Sequence, residues 1–112
     1  KYPNIVGGMF HNDDMALAAY ESIKAAGKEG QIKLVGVDGM EPALKAVLDD
    51  KLLCTVVNPT GRVHGGAVWV GYNVASGKVA KGATPKFIRT DGPYIDKVVA
   101  PGILYLAENL LI

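Results

Sequence analysis

Three short polar residues stand directly behind apolar runs: Phe10-His11-Asn12, Val37-Asp38 and Val57-Asn58. In open parallel sheets ligands bind outside the carboxyl ends of the strands, where the connecting loops converge on a crevice. Asn12, Asp38 and Asn58 are therefore expected to face one site. Two carboxamides both donate and accept hydrogen bonds, and one carboxylate accepts from adjacent hydroxyls, so the trio suits a polyhydroxylated ligand and not a phosphate. Taken singly, each is explained as well by the preference of Asn and Asp for strand ends and helix starts, where they satisfy free backbone groups. The argument rests on their regular recurrence.

Other reactive residue types give weaker patterns. His11 and His64 are far apart, and neither has a Cys or an acid at metal-ligand spacing, so no metal site is expected. His11 is placed at the crevice edge. Asp13 and Asp14 read as structural, since a helix start favours acidic side chains through capping and the helix dipole. The segments Gly61 to Gly66 and Ser76-Gly77-Lys78 touch on phosphate-loop patterns without completing them, and the second follows a helix rather than a strand. Trp69 and Tyr72 read as packing residues, Arg62 as a solvated charge, and Cys54 as a buried small hydrophobe. No nucleophile, base and orienting group form a triad. The expectation is a binding protein without catalysis and without a cofactor.

The elements that must carry these residues follow from periodicity. Asn4 to Phe10 is a short apolar run, and Asp13 or Asp14 caps a helix whose apolar stripe is expected at Met15, Ala19, Ile23 and Ala26, ended by Gly27. Ile32 to Val37 reads as a second strand, and Pro42 opens a helix with Leu44, Val47 and Leu48 on one face. Leu52 to Val57 reads as the third strand. After Asn58-Pro59 a helix is expected over Gly61 to about Ser76, with Val63, Ala67, Val70 and Val74 at helical spacing and Gly77 just beyond its end. From Pro85 the pattern changes to two β-rich runs, Lys86 to Thr90 and Tyr94 to Val99, followed by an apolar tail from Ile103 with no further strong helix. Strands separated by single helices are βαβ crossovers, so the class is α/β, a Rossmann-like parallel sheet with flanking helices. The strands are too few to close a two-sided layer, and further elements are expected before Lys1.

Composition bounds the partners. The chain has 112 residues, 49% of them hydrophobic, and Lys+Arg 12 against Asp+Glu 11 leaves no electrostatic attraction for nucleic acid or an anionic membrane. The single cysteine excludes a disulfide within the chain. No apolar stretch reaches the roughly 18 residues of a membrane span.

The order and context of the three site residues resemble the type I periplasmic binding proteins for sugars, the ribose/galactose-binding-like family. His11-Asn-Asp-Asp-Met-Ala16 resembles the Asn-Asp-x-Met-Ala element of those proteins. Val35 to Gly39, followed by Glu41 to Ala46, is similar to their next strand, ligand aspartate and helix, and Lys51 to Asn58 resembles the strand that ends in a ligand Asn or Gln. The match is tight to Asn58 and loose beyond it. The resemblance implies a C-terminal portion of a two-lobed receptor that captures a monosaccharide, pentose or hexose, between its lobes for an ABC transporter permease. It implies that Asn12, Asp38 and Asn58 are hydrogen-bond partners of sugar hydroxyls. It further implies that residues 1–58 belong to the C-terminal lobe, residues 60–92 to the other lobe, and residues 93–112 to a return segment. A missing N-terminal portion would complete the site, and the location implied is periplasmic, or extracellular and lipid-anchored. Self-association of the chain alone is also expected.

Two rival readings share features with this one. The effector domain of a LacI-type regulator uses the same strand-end positions, but regulators follow the aspartate strand with a second acid and a proline-rich segment, whereas Gly39 follows here. A phosphoacceptor domain would need its acceptor two helices after the acid pair Asp13 and Asp14, and only one helix precedes Asp38.

Overall fold

The structure, a computed structural model, describes residues 2–83 and 92–108. In chain order the elements are β1 (Gly7–Met9), α1 (Asp13–Ala25), β2 (Lys33–Asp38), α2 (Glu41–Leu48), β3 (Cys54–Val57), a π-helical turn (Gly61–Gly65), α3 (Gly66–Ala75), β4 (Tyr94–Ile95) and α4 (Ala100–Glu108). They form two compact units, one of Lys1–Val57 with Pro93–Ile112 and one of Asn58–Gly92.

The first unit is a four-stranded sheet in the order β1-β2-β3-β4. β1, β2 and β3 run parallel, with Met9 opposite Val35 and Asp38 opposite Val57. Because the order advances one strand at a time, the crossover helices α1 and α2 lie on the same face. The core on that face is Ala16, Tyr20, Leu34, Ala43, Leu44, Ala46, Val47, Leu52, Ile95 and Ala100. Alternation along β2 sends Leu34 and Gly36 toward the helices and Val35 and Val37 to the other face, where both stay half-buried.

Local chemistry explains the boundaries. Gly27 leaves α1 at φ +66 and its N–H bonds Lys24 O at 2.9 Å, the left-handed stop expected from sequence. Pro42 sits in the first turn of α2, where its missing N–H has no intrahelical partner to lose. The hydroxyl of Tyr20 donates to the Glu29 carboxylate, tying α1 to the loop that leads into β2. That bond pushes the phenol pKa up to about 12.

Four expectations need correction. The buried face of α1 is Asp13, Ala16 and Tyr20, and Met15, placed on the stripe by periodicity, is exposed. The sheet is mixed, because β4 pairs antiparallel with β3 through Thr55 opposite Ile95. The β run expected over Tyr94 to Val99 stops at Ile95 and turns over residues 97–99. The tail is a helix, α4, packed on α2; Asp96 accepts the N–H groups of Val98 and Val99 on its Oδ1 at 2.9 and 3.2 Å and so shapes the approach to it. The run Lys86 to Thr90 lies outside the described residues.

In the second unit, the helix expected from Gly61 begins as a π-helical turn and becomes α-helical at Gly66. Asn73 is its buried polar residue and donates to Trp69 O at 2.7 Å. Gly77, at φ +75, stops it. Trp69 and Tyr72, expected to pack, are exposed among the described residues.

Candidate functional site

At the carboxyl edge of the sheet the parallel register brings β1 and β2 to the same level, so the segments leaving them, with Asn12 and Asp38, emerge side by side. Asn12 has extended backbone (φ −146, ψ 166) and its Oδ1 accepts the Met15 N–H at 2.8 Å, which makes it the N-cap of α1. The cap occupies Oδ1 and leaves the two Nδ2 hydrogens outside that bond. Asp38 is the last residue of β2 and has φ +122, a region that residues with a Cβ rarely enter. Asn58 follows Val57, the last residue of β3, and is the first residue of the second unit. His11 is exposed beside Asn12.

Beneath this edge lies a buried polar network that the apolar pattern did not reveal. Asp13 is 0% exposed. Its Oδ1 accepts the Thr55 hydroxyl at 2.6 Å and its Oδ2 accepts the Met40 N–H at 2.8 Å. The same Thr55 oxygen accepts the Gly39 N–H at 3.2 Å. Burial raises the Asp13 pKa above the usual carboxylate range, and the nearby Asp38 charge adds to that. The bonds from Thr55, Met40 and Gly39 pull the other way. Two glycines make room. A Cβ on Gly36 would collide with Asp13 Oδ1, and one on Gly39, at φ +73, would meet Val57 Cγ2 at 2.9 Å.

The cap expected at Asp13 or Asp14 falls on Asn12, and Asp13, read from the sequence as structural, also bonds β3 and the start of α2, while Asp14 is exposed. The available signals were Thr55 within an apolar strand and Gly36 in the middle of another, two small departures that mark where a polar group reaches the sheet. Cys54 is half-buried, and loss of solvent raises its thiol pKa, with the Asp96 charge second. His64 and Arg62 are exposed on the π-helical turn. A cleft of about 170 Å³, lined by Tyr20, Ile32, Leu34, Leu52 and Lys97 among others, lies at the opposite, amino-terminal ends of β2 and β3. Among the described residues no three of His, Cys, Asp and Glu are grouped so as to hold a metal ion.

The fold has known counterparts. The family description of a periplasmic binding protein domain matches residues 1–79, and the chain belongs to that family. Among individual relatives, the ribose import binding protein RbsB of Bacillus subtilis is 44% identical over 55 residues. The protein of the same name from Salmonella typhimurium is 31% identical over 84 residues. The alignments take in 49% and 75% of this chain but only 17% and 28% of those relatives. Among solved structures, the binding component of the arabinose ABC transporter from Shewanella sp. ANA-3 superposes with a TM-score of 0.77 at 26% identity, over 94% of this chain and 34% of that one. A Mycobacterium smegmatis structure in complex with β-D-fucofuranose gives 0.77 at 30% identity, over 97% and 35%. The chain therefore spans about a third or less of the length of these proteins.

Proposed function

We propose that this chain is the carboxyl-terminal portion of the solute-binding component of an ABC sugar importer. It contributes Asn12, Asp38 and Asn58 as hydrogen-bond partners of a monosaccharide, a pentose or a hexose. The observation that carries the reading is Asp38: a carboxylate held at φ +122 at the end of a parallel strand, where strain of this kind marks ligand sites. Binding of ribose and arabinose is attributed by name to the relatives above, and it supports the sugar class here. The protein acts as a receptor, not an enzyme, and delivers its ligand to a permease from the periplasm or from a lipid anchor outside the cell. The break between the two units supports a C-terminal lobe, a segment of the other lobe over residues 60–92 and a return segment over residues 93–112, with the first break one residue earlier than expected, after Val57.

The test is calorimetry on the full-length protein that contains this chain, with D-ribose, L-arabinose, D-galactose and D-fructose as titrants. At least one is expected to bind with a dissociation constant of about 1 μM or tighter, roughly −8 kcal/mol. Heats no larger than dilution for every sugar would remove the reading.

A further inference from the structure

Asp13 takes no direct part in the site as described, yet it is the group on which the site's backbone hangs. Its two oxygens face two different elements, β3 through Thr55 and the start of α2 through the Met40 N–H. Thr55 has one hydroxyl hydrogen, and because that oxygen accepts from Gly39 N–H, its own hydrogen goes to Asp13. Residues 39 and 40, the two immediately after Asp38, are therefore both anchored on one polar column. On the other side, Asp38 is held by the ladder, in which Val37 pairs with Val56 and Asp38 with Val57. A backbone at φ +122 persists only where its surroundings over-determine it, and here it is gripped from both directions. The column is also built into the sequence on the sheet side, since Gly36 leaves the space that Asp13 Oδ1 fills. Asp13 follows Asn12 directly, so the same anchor sets the phase of α1 and with it the position of the Asn12 cap.

Resting on the sugar-site reading above, we propose that the Asp13–Thr55 pair is a positioning device for ligand binding. It fixes the Asp38–Met40 turn in its strained geometry and sets affinity without touching the ligand. A pair that served stability alone would not need to clamp the two residues that follow the strained acid.

The experiment uses the full-length protein with Thr55→Val, Thr55→Ser and Asp13→Asn. Each is titrated with whichever of D-ribose, L-arabinose, D-galactose and D-fructose the wild type binds, at a temperature where circular dichroism shows it folded. Amide hydrogen exchange at Gly39 and Met40 is followed without sugar. Thr55→Val keeps the shape and removes the hydroxyl, and it is expected to weaken binding about tenfold or more and to speed exchange at both amides by a similar factor. Thr55→Ser keeps the hydroxyl and is expected to restore both to within about threefold of wild type. Asp13→Asn presents an N–H₂ to one of its two donors and is expected to equal or exceed Thr55→Val. If Asp13→Asn fails to fold, the two Thr55 variants still decide. Thr55→Val with a lowered melting temperature but unchanged affinity and exchange overturns the proposal. Exchange that responds as stated in a wild type that binds none of the sugars refutes the sugar reading and leaves the clamp on Asp38 standing.

Discussion

Asp38 combines two properties that pull in opposite directions, a carboxylate suited to paired hydroxyls and a backbone angle suited to glycine. Two substitutions separate them. In the full-length protein Asp38→Ala removes the acceptor and keeps a Cβ at φ +122, so sugar affinity should fall by roughly 2 to 5 kcal/mol with little change in melting temperature. Asp38→Gly removes the acceptor and the strain together, so it should lose the same affinity while raising stability by up to about 1 kcal/mol. Calorimetry and thermal melts on the pair check this, and unchanged affinity with a strongly lowered melt in Asp38→Ala would make the residue a turn former instead. Gly36 is subject to the opposite constraint, space rather than angle. Gly36→Ala puts a methyl into Asp13 Oδ1 and should destabilise by about 1 to 3 kcal/mol in urea denaturation. Asp13 itself has a raised pKa, so its stability contribution is fully present below the ordinary value of 3.8 and is lost as pH rises through the folded value.

At the scale of elements, Asp96 behaves in the reverse sense. The Tyr94 hydroxyl at 2.9 Å, with the Val99 and Val98 N–H groups, holds its pKa below 3.8. Its stabilising bonds are present above that ordinary value and are lost as pH falls through the lowered one, which loosens the approach to α4 in acid. The amide shifts of Val98 and Val99 should therefore titrate with a midpoint below 3.8, and a midpoint at or above it would show that the bonds are not kept in solution. This capping explains why α4 was illegible in the sequence. The tail was read only from Ile103, yet Pro101 is tolerated in the first turn of α4 and Asp96 supplies the start signal five residues upstream of it. The three parallel strands and α2 were legible because their apolar periods agree with the core they build. Of the stripe expected on α1, Ala19 and Ile23 do pack against the core, but its centre at Asp13, Ala16 and Tyr20 was missed because Asp13 is polar and apolar counting passes over it. The start of β4 at Tyr94 was legible, and its antiparallel pairing was not, because such pairing needs no crossover helix and residues 58–92 form a unit by themselves between β3 and β4. The candidate trio could be read from its position behind the strands, whereas the column beneath it could not, since Thr55 and Asp13 meet across 42 residues of sequence.

For the whole molecule, the proposed ligand partners Asn12, Asp38 and Asn58 all follow strands of one sheet, and a closed, desolvated sugar site needs more than that. The isolated 112 residues should bind the sugars above only weakly, and submicromolar affinity by calorimetry would refute that. Its apolar surface leads to a second expectation. Parallel sheets are covered on both faces in stable α/β proteins, but among the described residues of the first unit the helices lie on one. On the other face Val35, Val37 and Val56 are half-buried, and Met9 and Tyr94 are exposed at 72% and 60%. In the second unit Val68, Trp69 and Tyr72 are exposed at 73%, 64% and 61%. Among the described residues β1 also has no strand on its outer side, so its backbone groups form an open edge. Exposed apolar side chains and an open edge favour association, and a formal charge of +1 opposes it little. Sedimentation velocity of the isolated chain from about 10 to 200 μM should show a mass that rises with concentration, with bound hydrophobic dye falling as it does. Lys33 lies within the β1–β2 ladder, at the end away from the candidate site. A charge just before the open strand should therefore act on association without touching the ligand edge: Val6→Lys, at a residue 74% exposed whose carbonyl accepts the Lys33 N–H, is expected to shift the transition to higher concentration by severalfold. A monomer at every concentration, with one cooperative melt, would mean that these surfaces are hydrated at no great disadvantage and that the 112 residues close on themselves.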